Sequence, residues 1–230
     1  MNTPINRKTL TQHLTYSWWK YVLLILLAFG LTDLVYAVTA YRSPADKRVE
    51  FYVYGYADTD TLDAYMETVR AETMPDMEVM RSQLLLNDSN YGAMQLTTYV
   101  AAGEGDLYLL PREQFISLAS GGAFLALEED AELMDIFNQA GISLQSGWRK
   151  LADTTETHLY GIPASKLPGL TRYAYAENGF LCVLVTGGND ENVLHFLRIL
   201  CRDMLTDPAA GTEPGAEADT AEPAPAEPGK

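Results

Sequence analysis

The stretch YVLLILLAFGLTDLVYAVTA, Tyr21 to Ala40, constrains this chain more than any other. It runs for 20 residues with one charge, Asp33. At about 1.5 Å of rise per residue, a helix of that length reaches across a bilayer core of about 30 Å. Trp18, Trp19 and Tyr21 stand at one end, and Tyr36 and Tyr41 near the other. Amphipathic rings settle at membrane interfaces, so the pattern predicts a transmembrane anchor over residues 18–41 with an aromatic belt at each boundary. Membrane lipid is then the first partner. Arg7, Lys8 and Lys20 precede the span, which places residues 1–17 in the cytoplasm by the positive-inside rule. Arg42, Lys47 and Arg48 follow it and weaken that bias. Everything after Tyr41 is expected outside the cell.

Two readings compete with a permanent anchor. Val35-Tyr36-Ala37 and Val38-Thr39-Ala40 both suit a signal peptidase, and Val22–Leu31 has the length of a signal-peptide core. The long leading segment and Asp33 argue against cleavage. A buried core helix is the third reading, opposed by the length of the run and its flanking aromatics. No Cys lies near the span, which excludes a lipoprotein anchor. A carboxylate at the centre of a span costs about 2.5–3.5 kcal/mol on insertion scales. Asp33 is therefore read as lying in the outer half, near water or protonated, in preference to pairing with a partner's cation.

The opposite terminus is as extreme. Asp207–Lys230 carries six acids, one Lys and five prolines, and has no aromatic, Leu, Ile or Val. It cannot bury enough apolar surface to offset its ordering entropy, and is expected to be a disordered acidic tail. The folded part is therefore residues 46–206. Between Tyr41 and Thr206 there are 24 acids against 12 bases, within a chain of net charge −15. Such a surface argues against a nucleic-acid partner, which needs clustered Lys and Arg.

Val49–Tyr56, VEFYVYGY, alternates aromatic and branched residues and reads as a strand. Leu62, Tyr65, Met66 and Val69 then recur at helical spacing. Asp58, Asp60 and Asp63 could suggest calcium. An EF-hand loop needs Gly at its sixth position and Glu at its twelfth, where this chain has Asp63 and Val69. Helix capping accounts for them better. Glu78–Leu86 reads as a second strand, and Asn87–Asn90 as a turn that also holds an N-x-S sequon. Tyr91–Ala102 reads as a helix offering Met94, Leu96, Tyr99 and Val100 to a core. Asp106–Leu110 reads as a short buried strand, with a helix opened by Pro111 after it. The order βαβαβα predicts a parallel sheet covered by helices, with ligands beyond the carboxyl ends of the strands. Further on, Glu132–Ala140 reads as a helix, and Trp148–Asp153 with His158–Pro163 as a hairpin. Phe180–Thr186 reads as a strand and Asp190–Leu205 as a last helix. The fold class is α/β: an N-terminal transmembrane helix, a single three-layer lobe with a mostly parallel sheet, and the tail.

The stretch Ala101–Asp130 resembles the first lobe of extracellular solute-binding proteins of ABC importers. The matching pieces are Ala101-Ala102-Gly103, Gly105-Asp106, Leu107–Leu110, Phe115, Leu118, Gly122, Phe124 and Leu127. Tyr160-Gly161-Ile162-Pro163 is similar to a segment that family places near its hinge. Phe180–Thr186 with Asn189, Glu191, Phe196 and Leu197 resembles a further element. The resemblance implies a bacterial surface protein that binds a ligand without transforming it. Family members close two lobes on a solute, but between Pro168 and Phe180 this chain has no room for a second lobe.

Catalytic signatures are absent. There is no G-x-S-x-G elbow, H-E-x-x-H or Walker loop. His13, His158 and His195 are scattered, and no metal or cofactor is implied. Cys182 and Cys201 are expected on a strand and a helix, as two buried thiols or as a disulfide. Candidate contacts at the strand carboxyl ends are Tyr56, Asp58, Asp88, Asn90 and Arg112. The expectation is a single-pass surface protein that binds a ligand or a partner protein there. One alternative completes its cleft with another chain, and predicts an exposed apolar or aromatic face. The other is an anchored or secreted hydrolase.

Overall fold

The computed structural model describes residues 7–41, 43–86, 89–152, 155–185 and 188–206, with the side chains of 7–17, 89 and 90 outside that description. The chain divides into two compact units, residues 1–42 and 43–230.

The first unit is one helix, α1 (Arg7–Thr39). Its segment Trp18–Thr39 is 22 residues long and apolar enough to cross a membrane. Leu24, Leu26, Phe29 and Leu34 are all exposed. A core helix buries an apolar stripe against partners, so the core-helix reading does not hold among the described residues. The hydroxyls of Thr32 and Thr39 donate to the carbonyls of Ala28 and Val35 four residues back. Polar side chains inside an apolar span are thereby satisfied without water.

In the second unit, β1 (Arg48–Ala57) is central. Almost all of its residues are buried, with Val49, Phe51 and Val53 on one face and Glu50, Tyr52 and Tyr54 on the other. Next come α2 (Thr59–Glu72), β2 (Val79–Leu86), α3 (Ser89–Ala102), β3 (Leu107–Leu110) and α4 (Arg112–Ser120). After these follow α5 (Ala131–Gln139), β4 (Trp148–Lys150), β5 (Thr157–Leu159), β6 (Ile162–Pro163), β7 (Ala174–Tyr175), β8 (Phe180–Val183) and α6 (Asp190–Met204).

The main sheet has the order β2-β1-β3-β8-β6, with β7 paired to the end of β1. β1 runs parallel to β2 and to β3, as the βαβαβ order requires. β8, β6 and β7 are antiparallel to their neighbours, so the sheet is mixed, with its parallel half in the first half of the chain. β4 and β5 form the expected hairpin.

Three layers result. One face of the sheet buries α2, α5 and α6 through Leu62, Met66, Leu133, Phe137, Phe196, Leu197 and Leu200. The other buries α3 and α4 through Leu96, Phe115 and Ala119. Cys182 belongs to the second face and Cys201 to the first. The sheet stands between them, so both thiols are free and buried, and the disulfide reading is corrected. Burial raises the pKa of both, which keeps them protonated and inert. The acidic tail from Asp207 onward, Asn87 and Asp88 lie outside the described residues.

Candidate functional site

The carboxyl ends of β1, β2 and β3 open onto one edge of the domain. β1 reaches that edge with Gly55 and Tyr56, and Gly55 stands in register with Leu86, the last residue of β2. Two glycines let neighbouring segments close in. A Cβ on Gly55 would lie 2.4 Å from the carbonyl oxygen of Tyr175, and one on Gly92 would lie 2.0 Å from that of Leu86. Any side chain there would push β7 off β1, or the start of α3 off β2.

Tyr56 then pairs directly with Tyr175 across the antiparallel β1–β7 contact. Their side chains are 66% and 56% exposed. Leu86 (57%), Tyr91 and Met94 (62% each) flank them from β2 and α3. Tyr56 and Tyr175 are the two of these that stand directly opposite one another, as an exposed aromatic pair at the sheet edge.

The predicted site residues fare differently. Tyr56 belongs to this pair. Asp58 follows it, with its backbone N–H held by the Tyr173 carbonyl. Its carboxylate accepts the Thr61 hydroxyl and backbone N–H, capping α2. The Thr61 hydroxyl first, then the N–H bonds, hold the carboxyl below its usual range. Asp63 accepts the backbone N–H of Ser82, tying α2 to β2. The capping account of the acid string holds at Asp58, whereas Asp63, inside α2, serves a tertiary contact instead. Arg112 is exposed at the first turn of α4, at the end of β3. Asp88 lies outside the described residues, as does the side chain of Asn90.

Met94 is a correction: its periodicity suits a core, but it faces out, while Gly92 and Leu96 are the α3 positions that turn inward. Tyr175 escapes the sequence reading altogether. Its signal is the alternation Tyr173-Ala174-Tyr175-Ala176, which is too short to stand out as a strand.

His158 is gripped by Glu128, which contacts its Nδ1 at 2.5 Å and accepts the backbone N–H of Leu159. That bond, reinforced by Glu156, raises the pKa of the imidazole. A depression of about 230 Å³ lies at the other end of the sheet, lined by Met74, Asp76, Met77, Asn192 and His195 among others. Arg198 on its wall is committed to Asp130 and Glu132. No group of three or more metal-binding side chains occurs among the described residues.

No protein-family model and no curated protein matches this chain. Several solved structures are similar to part of this chain. An extracellular solute-binding protein of family 1 from Alicyclobacillus acidocaldarius is 25% identical over 53% of this chain and 29% of its own length, with a TM-score of 0.38. The N-glycan transport solute-binding protein of Streptococcus pneumoniae is 18% identical over 50% of this chain and 24% of its own, with a TM-score of 0.36. RafE from the same organism is 16% identical over 54% and 29%, with a TM-score of 0.34. The chain thus spans less than a third of the length of each.

Proposed function

We propose that this chain is a single-pass membrane protein whose domain, displayed outside the cell, binds a ligand or a partner protein through the edge built on Tyr56 and Tyr175. The observation that carries the reading is that pair: two tyrosines in register on adjacent strands, both more than half exposed. Tyrosine offers a flat apolar face and a polar tip at low entropic cost, which suits contact surfaces. The sequence resemblance to solute-binding proteins supports a non-enzymatic role. α1 supplies the anchor, with Arg7, Lys8 and Lys20 on the cytoplasmic side.

The test is a benzophenone photocrosslinker placed at position 56 in intact cells, with position 135 on α5 as control. A discrete adduct from 56 alone, read by mass spectrometry, is the expected result. Equal labelling from both positions, or none from 56, would overturn the reading. In the same cells, external protease should destroy the domain. Cutting confined to the short N-terminus would reverse the orientation.

A second reading, in which another chain supplies a facing lobe, is favoured by one feature. Only residues 176–179 separate β7 from β8, so no lobe is inserted there. It predicts that the adduct from position 56 is a protein, whereas direct capture of a solute gives an adduct of small mass.

A further inference from the structure

Three arginines of this acidic domain are neutralised by carboxylates. Arg70 grips Glu67, Arg81 grips Glu50, and Arg198 grips Asp130 and Glu132. Arg112 and Arg149 make no ion pair among the described residues. Arg149 lies on β4, and its guanidinium carbon sits 5.2 Å from the centre of the Phe115 ring and 5.9 Å from that of Phe180. Those two rings stack on one another at 4.3 Å and form its floor. Phe115 is three residues beyond Arg112 on α4, one helical turn away. Phe180 pairs with Leu110, the last residue of β3. Both cations therefore stand at the carboxyl end of β3.

The hydrogen bonding of Arg149 is incomplete. One terminal nitrogen, Nη1, donates to the carbonyl of its own neighbour Trp148 at 2.6 Å. Its Nε is buried with no partner in the protein. A buried donor left unmade costs about 1–3 kcal/mol, and more on a charged group. Burial first, and the nearby charge of Arg112 second, pull the guanidinium below its ordinary value. Among the described residues, no carboxylate offsets either effect. α4 adds to this, because Pro111 at its N-cap supplies no side-chain acceptor.

We propose that Arg112 and Arg149 form a binding site for a small oxyanion, the carboxylate or phosphate group of a ligand, at the carboxyl end of β3. Such a group takes the terminal N–H side of the fork, the Nε–H being enclosed by the protein, in the charge-assisted manner that guanidinium favours. It also relieves the repulsion between two like charges. The aromatic floor holds the guanidinium plane in place before the ligand arrives, which lowers the ordering cost of binding. The proposal does not depend on the Tyr56–Tyr175 edge, and either can fail alone.

The test titrates the full chain in detergent micelles with inorganic phosphate, and separately with acetate, at ionic strength held constant by chloride. The reporter is the ¹⁵Nε–H signal of Arg149. A saturable shift of that signal with at least one anion is expected. Arg112→Gln, an exposed change that spares the fold, should weaken it by about tenfold, the worth of one charge-assisted hydrogen bond. Arg149→Lys, which keeps the charge but loses the fork, should weaken the thermal stabilisation by the same anion to a similar degree. Lys150→Gln, a neighbouring exposed cation, should leave both unchanged. No saturable shift with either anion, or equal affinity in Arg112→Gln and Lys150→Gln, would overturn the proposal.

Discussion

The two faces of the sheet are built from different materials. On one, Val49, Phe51, Val53, Leu107, Leu109, Leu181 and Val183 meet the apolar sides of α2 and α6. On the other, Tyr52, Tyr54, Tyr108, Phe115, Phe124, Tyr160 and Phe180 form an aromatic layer under α3 and α4. The same strands make both, because alternate side chains point to opposite faces. Polar groups follow the aromatic parity. Glu50 and Asp106, the buried carboxylates, lie in the same alternation as Tyr52 and Tyr108. The first face buries apolar area and little else. The second buries groups that must be satisfied one by one, and it ends beside Arg149 and the exposed tyrosines. The first face is therefore expected to carry more of the stability, and the second more of the polar chemistry.

The sharpest way to break this comparison is to remove Phe196, a fully buried residue of α6. Phe196→Ala should cost about 3–5 kcal/mol in urea unfolding of the domain, the usual toll of a large cavity. A loss below about 1 kcal/mol would mean that this face is not where stability lies.

The next largest effect is pH-dependent and belongs to the aromatic face. Asp106 accepts the backbone N–H of Glu50 at 2.8 Å, and its own N–H donates to the Glu50 carbonyl, joining β3 to β1. Burial, followed by the nearby Glu50 charge, pushes its pKa up to about 6 despite that hydrogen bond. A carboxyl raised in the folded state holds its proton more tightly there than when unfolded. Its contribution is therefore full below about pH 4, and is lost as pH rises through about 6. The loss amounts to about 2–3 kcal/mol. Asp106→Asn should remove this slope, so that variant and wild type diverge between pH 4 and 7. His158, also raised, loses its contribution at higher pH, and its effect persists in the variant. Parallel pH profiles for the two proteins would contradict the assignment.

A smaller effect comes from Tyr108, which stacks on Tyr52 at 5.2 Å and donates its hydroxyl to the Glu104 carbonyl. Burial raises its pKa, and pushes that of Tyr52 up to about 12. Tyr108→Phe keeps the ring and leaves a carbonyl unmet, at a cost of about 1 kcal/mol. No change in the urea midpoint would show that water replaces the hydroxyl.

Much of this was legible in the sequence where local rules act alone. The β1 alternation, the Asp58 cap and the apolar spacing of α6 each depend on residues close in the chain. The direction of β8 is different. It follows β3 in the sheet but about seventy residues later in sequence, and no crossover helix announces its orientation. Whether Cys182 and Cys201 could meet depended on which face each occupies. Strand parity settles that for Cys182 only once its neighbour in the sheet is known. Tyr175 and Arg149 were missed for a related reason. Each sits on a strand of two or three residues, and is given its meaning by a partner far away in the chain: Tyr56 for one, Phe115 and Phe180 for the other.

The smallest predicted effect is the most discriminating for function. Tyr56 and Tyr175 lose little contact area when truncated, since more than half of each is already in solvent. Tyr56→Ala and Tyr175→Ala should each shift stability by less than about 0.5 kcal/mol, as surface changes do. Cross-strand contact between two directly opposed aromatics is worth about 0.2–1 kcal/mol, so the double variant should fall slightly short of the sum. If instead either change costs 2 kcal/mol or more, the pair is holding β7 to β1, and the exposed edge is structural. If stability is kept and the second tyrosine's removal abolishes the crosslink from position 56, the pair is retained for what it touches outside the domain.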